Sequence, residues 1–598
     1  MKLVRLKIND PRGFRSLPSG FEHHFRSKQT LQEELANTNS FAPFVCAGPN
    51  GSGKSNLLEV LAAIFYQLEI QRVRRSFLPE ALQGDEQYLS PTAFELDYLI
   101  RVPKEYRRPD SPEWAKVSVW KEADETVRFT WENQGEFDTN INEVFGSGYA
   151  DIILPQYILG YSSGENEILS LPFFKMRFIQ FDEYWNALIQ QLSYPGYPET
   201  RMAYMDNSFS QAILLCNLLF QDDDTLQPFG EDVGIEALKE FRIILRRRIE
   251  LTAEQFEAFA LENEKSVDAV TKRNGALSSF YDEEEQRERY YLNLLYNIDK
   301  TEGSNEKIDP ILERLRRCAT LNYEDDSDDT LILDYWVNDA TKQAFRENFS
   351  NDPLTLFQAF QVLLALNLYT VNDKLKADLY QSSSHYVSET VPTLASDERI
   401  MRFKNFYFTK QGVDQPMLLK ELSDGEHQLL HSLGLCLLFR NTNSLFLLDE
   451  PETHFNPDWR ANFISRLRQC FLKDGNASQE MLITTHSPFL ISDSQQDKVL
   501  VFDKDKVMRK VSIQKPEYNT LGASINLITM ETFNKQETIG AYAKDILKHL
   551  LSSEFKETEP HKLAKLIIDT LGDSIERSIA IQEVLARGEQ TNHSNKGD

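Results

Sequence analysis

The stretch Gly48-Pro49-Asn50-Gly51-Ser52-Gly53-Lys54-Ser55 restricts this chain more than any other. It fits the phosphate-binding P-loop, Gly, four residues, then Gly-Lys-Ser, and its flanks have the shape that loop demands. Apolar Phe41 to Ala47 reads as a short buried strand, and Asn56-Leu57-Leu58-Glu59-Val60-Leu61 opens an apolar-periodic helix. Strand, glycine loop and helix in this order predict an α/β fold around a nucleotide.

Each residue type has a physical reason. Glycines turn the backbone tightly and bring its N–H groups against phosphate oxygens, and the following helix points its positive end at the same anion. The candidate nucleotide-binding residues here are Gly48, Asn50, Gly51, Gly53, Lys54, Ser55 and Asn56. Lys54 would reach the β- and γ-phosphates, and the Ser55 hydroxyl would hold Mg²⁺. The expected cofactors are ATP and Mg²⁺.

The rest of the composition narrows the partners. A length of 598 residues allows two to four domains. The formal charge of −27 argues against a protein wrapped in nucleic acid over most of its surface, because such a surface needs a basic excess. Nucleic-acid contact would be local, at Arg72, Arg74 and Arg75 or at Arg246-Arg247-Arg248, or be supplied by a partner, and each cluster also reads as a solvated helix face with acidic neighbours. Five scattered cysteines with no paired spacing suit reduced residues of a cytoplasmic protein. No apolar run reaches the ~18 residues of a membrane span, and Met1 to Ile8 alternates like a strand rather than a signal peptide.

Along the chain, residues 1–178 read as an N-terminal ATPase lobe with a β-rich part. Strands are expected at Lys2 to Ile8, Phe21 to Phe25 and Pro91 to Val102, with a hairpin of Val117 to Lys121 and Thr126 to Trp131. Ile152 to Leu159 reads as a strand running into the small-residue loop Gly160 to Asn166, with Gln156 as a candidate water- or Mg²⁺-sensing residue. Residues 179–385 read as a large helical insertion, clearest at Ile235 to Leu251, Ala253 to Lys265, Glu283 to Asn297 and Leu354 to Asp378. No heptad seam is sustained there. The acidic runs Asp222 to Asp224 and Glu324 to Asp329 read as solvated loops. Residues 386–512 read as a C-terminal ATPase lobe, and 513–598 as a helical C-terminal region with helices at Glu537 to Leu551 and His561 to Ile581 and a frayed tail from Thr591.

Leu445-Phe446-Leu447-Leu448 is an apolar strand ending in Asp449 and Glu450. In a P-loop protein the first carboxylate belongs on Mg²⁺ and the second is placed to take a proton from the attacking water. Upstream, Leu422-Ser423-Asp424-Gly425-Glu426-His427-Gln428 opens an apolar helix; downstream, Met481 to Thr485 is a strand ending in His486-Ser487-Pro488. Ser423 with Glu426 also reads as an ordinary capping box.

In this order the motifs resemble the ABC-type ATPases, whose signature Leu-Ser-Gly-Gly-Gln also caps a helix, and among them the SMC, RecF and OLD branch. Phe14-Arg15-Ser16 is similar to that branch's Asn-Phe-Arg-Ser opening, with Gly13 in place of Asn. Gly160 to Asn166 and Gly522-Ala523-Ser524-Ile525-Asn526 look like the restriction-system-associated AAA-family ATPases and the Septu defence ATPase PtuA. The resemblance implies an ABC-type head split into two sequence halves, and a head-to-tail dimer. Lys54, Ser55, Asp449, Glu450 and the switch histidine His486 of one copy would face Ser423, Asp424 and Gly425 of the other. Asp424 stands where transporters carry glycine.

The resemblance further implies a cytoplasmic defence ATPase, with no membrane partner, that controls an effector encoded nearby, such as a nuclease. Two alternatives stay open: a DNA-repair or chromosome-associated clamp, and a self-contained OLD-like nuclease using Asp503-Lys504-Asp505. The second competes with a plain hairpin turn at those residues.

Overall fold

A computed structural model describes the chain except residues 37–40, 74–88, 138–149, 164–166, 168, 191–193, 258, 261–265, 295–309, 383–386, 388–390, 473–477, 506–509, 536–538, 553–558 and 595–598. In the first part of the chain, strands are β1 (Lys2–Ile8), β2 (Glu22–His24), β3 (Phe44–Ala47), β4 (Phe94–Arg101), β5 (Trp114–Lys121), β6 (Arg128–Trp131), β7 (Tyr157–Ser162) and β8 (Met202–Tyr204). The middle of the chain supplies β9 (Ile235–Arg246), β10 (Arg248–Leu251), β11 (Leu277–Asp282), β12 (Arg287–Asn293), β13 (Leu321–Asp325) and β14 (Thr330–Trp336). After it come β15 (Met401–Lys410), β16 (Met417–Leu418), β17 (Ser444–Asp449), β18 (Glu480–Thr484), β19 (Val499–Lys504) and β20 (Val511–Gln514).

The site is positioned by a seven-stranded sheet of order β20-β19-β3-β18-β17-β7-β8, parallel except for β20. Every residue of β3, β17 and β18 is buried, which is why these strands read as continuous apolar runs: a parallel sheet is covered on both faces. Residues 44–47 lie between strands from near position 480 and near position 500, so the two sequence halves close into one α/β head, as expected. The edge strand β8 comes from inside the stretch expected to be insertion.

The helix Lys54–Arg72 follows the P-loop and is buried on every side, consistent with its lack of a polar face. It is flanked by the core sheet and by the antiparallel sheet β2-β1-β4-β5-β6. Gln67 Nε2 donates to Pro91 O at 3.1 Å and Lys121 Nζ to Gln67 Oε1 at 2.8 Å, so buried polar groups facing the antiparallel sheet are satisfied.

The stretch 179–385, expected to be a helical insertion, contains the helices Ser210–Phe220 and Pro353–Ala365 and the end of Leu171–Gln190, which begins before it, and also strands where helix was expected. Ile235 to Leu251 forms β9 and β10. Buried Ile235, Leu238 and Phe241 recur every three residues, which mimics a helical stripe. The pairing of β9 with β15 slips register at several points, and each bulge shifts the inward face by one residue. A bulged strand therefore carries helix-like spacing. Glu283 to Asn297 likewise contains β12, paired with β10 and β11, where Tyr290 stacks on Phe256 at 4.3 Å; its end lies outside the described residues. Of Ala253 to Lys265, the helix covers Ala253–Glu257, and 258 and 261–265 lie outside the described residues.

The basic clusters are engaged internally. Arg247 meets Glu324 at 2.9 Å and Asp326 at 2.6 Å, and Arg248 meets Asp329 at 3.0 Å, so the acidic run neutralises them. Arg72 pairs with Glu69 at 3.0 Å; Arg74 and Arg75 lie outside the described residues.

A buried ion cluster ties the starts of β1, β18 and β19 together. Arg26 donates to Glu480 at 2.6 and 3.0 Å and to Glu34 at 3.1 Å, Lys498 reaches Glu34, and Leu3 N donates to Glu480 Oε2 at 2.6 Å. Burial would raise the Glu34 carboxyl, but Arg26, Lys498 and Lys2 outweigh it and hold it at about 2.

The C-terminal helices are Ala541–Leu550, Pro560–Thr570 and Ile575–Ser594, around a small core of Leu547, Leu563, Ile567 and Val584. The last helix extends to Ser594, past the point where a frayed tail was expected. Among the described residues no single helix is long and apolar enough to cross a membrane; the bent pair Pro353–Leu368 and Asp373–Gln381 meets the length and composition criterion only together, across a 109° break.

Candidate active site

The C-terminal ends of β3, β17 and β18 meet at the start of the helix Lys54–Arg72. The loop between β3 and that helix holds Gly48, Gly51 and Gly53 at φ of 143°, 73° and 100°. At Gly48 a Cβ would stand 2.4 Å from Phe502 O, so only glycine lets the loop pass β19. Gly53 caps the helix without a side-chain bond, which leaves the first-turn N–H groups for a ligand. This cradle fits a phosphate.

Lys54 Nζ donates to Gly48 O at 3.1 Å and Pro49 O at 3.2 Å, curled over its own loop. It also lies 3.0 Å from His486 Nε2. Burial, helped by Lys54, drives His486 down to about 4, so the imidazole is neutral near pH 7 and Nε2 can accept a hydrogen bond from the Lys54 ammonium. The 3.3 Å approach of Glu450 Oε1 to the same nitrogen is then not an ion pair. Burial lowers Lys54, with Glu450 and Asp449 pulling it back up.

Ser55 Oγ donates to Asp449 Oδ1 at 2.8 Å, an oxygen pair of the kind a hard cation prefers. Thr484 Oγ1 also donates to Asp449 Oδ1. Glu450 follows with φ 51°, left-handed backbone that a non-glycine residue holds only where its surroundings enforce it. Burial and the neighbouring Asp449 raise its pKa, against the pull of Lys54. Its side chain is 40% exposed, open to water at the mouth of the site. Asn56 Oδ1 accepts from Ser16 Oγ at 2.6 Å, which fastens the Phe14-Arg15-Ser16 segment to the helix start.

Two groups of candidates make no hydrogen bond to the cradle among the described residues. Gln156 lies at the N-terminal end of β7, away from the phosphate cradle, where its amide exchanges hydrogen bonds with Asn443: Gln156 N to Asn443 O at 2.9 Å, Asn443 N to Gln156 Oε1 at 2.8 Å. The apolar run from Ile152 begins in a helix, Ala150–Ile153, then passes Pro155 and only then enters the strand, so Gln156 precedes β7 rather than lying within a strand that starts at Ile152. Just past the end of β7, Ser163 reaches the site, its N–H donating to Asp449 O at 3.0 Å; 164–166 lie outside the described residues.

Ser423 caps the helix Asp424–Leu438, and Ser423 Oγ donates to Glu426 Oε2 at 2.8 Å within a capping box. Ser423 and Asp424 are exposed, while Gly425 is buried. A Cβ on Gly425 would lie 2.7 Å from His454 O, so this helix packs its backbone against the turn that follows Glu450.

Sequence reasoning missed the residues that fix this turn. Gln428 Oε1 accepts from His454 N at 2.8 Å, and Gln428 Nε2 donates to Tyr161 OH at 3.3 Å. Thr453 Oγ1 donates to Glu450 O at 2.9 Å. Glu452 is fully buried, its carboxyl pushed up to about 7 by burial, and accepts from Thr485 Oγ1. A third carboxylate three residues past the strand end was the signal that could have marked it. Asp503 lies on β19 and pairs with Ser512 of β20, and Asp505 N bonds Lys510 O, so Asp503-Lys504-Asp505 leads into the hairpin.

Residues 241–492 match the family described as AAA domain, putative AbiEii toxin, Type IV TA system. The match takes in Ser423, Asp449, Glu450 and His486 but not the P-loop, which the sheet brings to them. No curated protein matches the chain. One similar solved structure is the crystal structure of the SmcHead bound to the C-winged helix domain of ScpA, with 9% sequence identity and a TM-score of 0.33, covering 86% of this chain and 98% of that one. The family match and the gathering of Lys54, Ser55, Asp449 and Glu450 at the C-terminal ends of the central strands mark a P-loop ATPase domain in this chain, similar to the AAA family matched.

Proposed function

We propose that the chain is the ATP-hydrolysing switch subunit of a bacterial antiviral defence system, acting as a head-to-tail dimer in the cytoplasm and controlling a toxic effector, such as a nuclease encoded nearby. What supports the dimer is that Lys54, Ser55, Asp449, Glu450 and His486 gather at the C-terminal ends of the central strands, while the exposed Ser423 side chain bonds only Glu426 of its own capping box among the described residues. A second copy supplying Ser423 and the Gly425 amide would complete the site.

The P-loop amides and Lys54 would hold the phosphates of ATP, and Ser55 with Asp449 would hold Mg²⁺, which supplies charge stabilisation there. Glu450 takes the proton of the attacking water. Neutral His486 accepts a hydrogen bond through Nε2 or donates one through the other ring nitrogen, and so reads the occupancy of the Lys54 cradle. Because closure depends on both copies, nucleotide state is coupled to the position of the insertions.

The family match supports the defence setting, since its description names a type IV toxin–antitoxin system. The motif order and the Gly522 to Asn526 segment support a Septu-like ATPase within that setting. The same description, a putative toxin, favours a second reading in which this chain is itself the toxic component. Co-purification with the neighbouring gene product, read by mass and nuclease assay with and without ATP, tests the first reading. An ATP-controlled complex is expected. A chain that ignores its neighbour and arrests growth alone would favour the second.

A further inference from the structure

We infer that Glu452 and Thr485 form a buried strut that sets the spacing between Glu450 and His486, which makes Glu452 a positioning residue for hydrolysis. The inference rests on the ATPase reading above. Glu452 lies two residues after Glu450, and Thr485 immediately precedes His486. Their side chains are 4% and 0% exposed, and Thr485 Oγ1 donates to Glu452 Oε1.

Each end of the strut is anchored. Thr485 N donates to Cys46 O at 3.0 Å, which ties it to the strand leading into the P-loop, and Ser487 N donates to Thr485 Oγ1 at 2.8 Å. On the other side, Arg460 of the helix Pro457–Leu472 donates to Glu452 O at 3.3 Å and to Thr453 O at 2.8 Å. The turn after Glu450 is thus held from beneath, and Glu450 keeps its left-handed backbone while its side chain stays 3.3 Å from His486.

A carboxyl group is a costly choice for a fully buried position unless it is fully paired. Glu452 Oε2 has no hydrogen-bond partner among the described residues, so the group persists with half its capacity unused. What it does provide is one directional bond between the two loops that carry the reacting residues. Glu452 is too deep to touch substrate; it acts through Glu450.

The test compares Thr485→Val, Thr485→Ser, Glu452→Ala and Glu452→Gln in the full chain, by steady-state ATP hydrolysis and by equilibrium binding of a fluorescent N-methylanthraniloyl-ATP. Thr485→Val, nearly isosteric, and Glu452→Ala are expected to lower kcat by about 10- to 100-fold while nucleotide Kd stays within about twofold, as for a displaced reacting group. Thr485→Ser keeps the donor and Glu452→Gln keeps the acceptor, so both are expected to retain about half of kcat or more. The double variant Glu452→Ala/Thr485→Val should be no slower than the worse single variant. Wild-type kcat in Thr485→Val, or a Glu452→Gln as slow as Glu452→Ala, would overturn the strut while leaving the ATPase reading intact. Failure of that reading shows differently: wild-type turnover unaffected by Lys54→Ala.

Discussion

Ser55 Oγ and Asp449 Oδ1 lie 2.8 Å apart although 394 positions separate them in the chain. This contact joins the two sequence halves at the point where Mg²⁺ would sit. Asp449→Asn keeps the shape and removes the charge, so Mg²⁺-supported ATP turnover is expected to fall about 100-fold or more, while the melting temperature changes little. A magnesium titration of turnover at fixed ATP checks this.

Glu450 is half-exposed beside His486, with the geometry of a base open to water. Glu450→Gln is expected to slow hydrolysis by about 10²–10⁴-fold and leave ATP affinity unchanged. Single-turnover hydrolysis with a parallel binding assay separates the two. Unchanged turnover would remove Glu450 from the base role.

Gly425 packs against the backbone of the turn that carries Glu450. Gly425→Ala pushes a Cβ to 2.7 Å from His454 O, where neither backbone can give freely. A loss of about 1–3 kcal/mol is expected in urea unfolding, together with reduced turnover because that turn moves.

Glu34 predicts how the fold responds to acid. Its carboxyl is held at about 2 in the folded chain, below the ordinary 4.5. The stabilisation is therefore complete above about pH 4.5 and is lost as pH falls from there toward 2. Melting temperature measured from pH 7 to pH 3 should drop below about pH 4.5, and Glu34→Gln should start lower and fall less steeply, because its amide cannot titrate.

The strands bearing the site were legible because a strand buried on both faces must be apolar throughout, as in Leu445 to Leu448 and Met481 to Ile483. Glycines at positive φ made the loop legible for a similar reason: only one residue type fits. Elsewhere the local pattern did not determine structure. Ile235, Leu238 and Phe241 follow a three-residue spacing because bulges against β15 turn the strand, and that partner lies over 150 residues away. Gln156 was misplaced because an apolar run does not say whether it is helix or strand, and Pro155 shifts the strand to its far side. Glu452 and Gln428 gain their meaning from Thr485 and His454, which only the fold brings to them.

The central claim is that one site needs two copies of the chain, and it is tested most directly by mixing two inactive variants. Lys54→Ala removes the phosphate lysine and leaves the Ser423 surface whole; Ser423→Arg blocks that surface and leaves the P-loop whole. In a head-to-tail dimer each mixed pair holds one intact site, so an equal mixture should recover about one quarter of wild-type ATP turnover where neither variant alone has any. A mixture as inactive as its components, under conditions where wild-type subunits exchange, would contradict the account, as would full activity in Ser423→Arg alone.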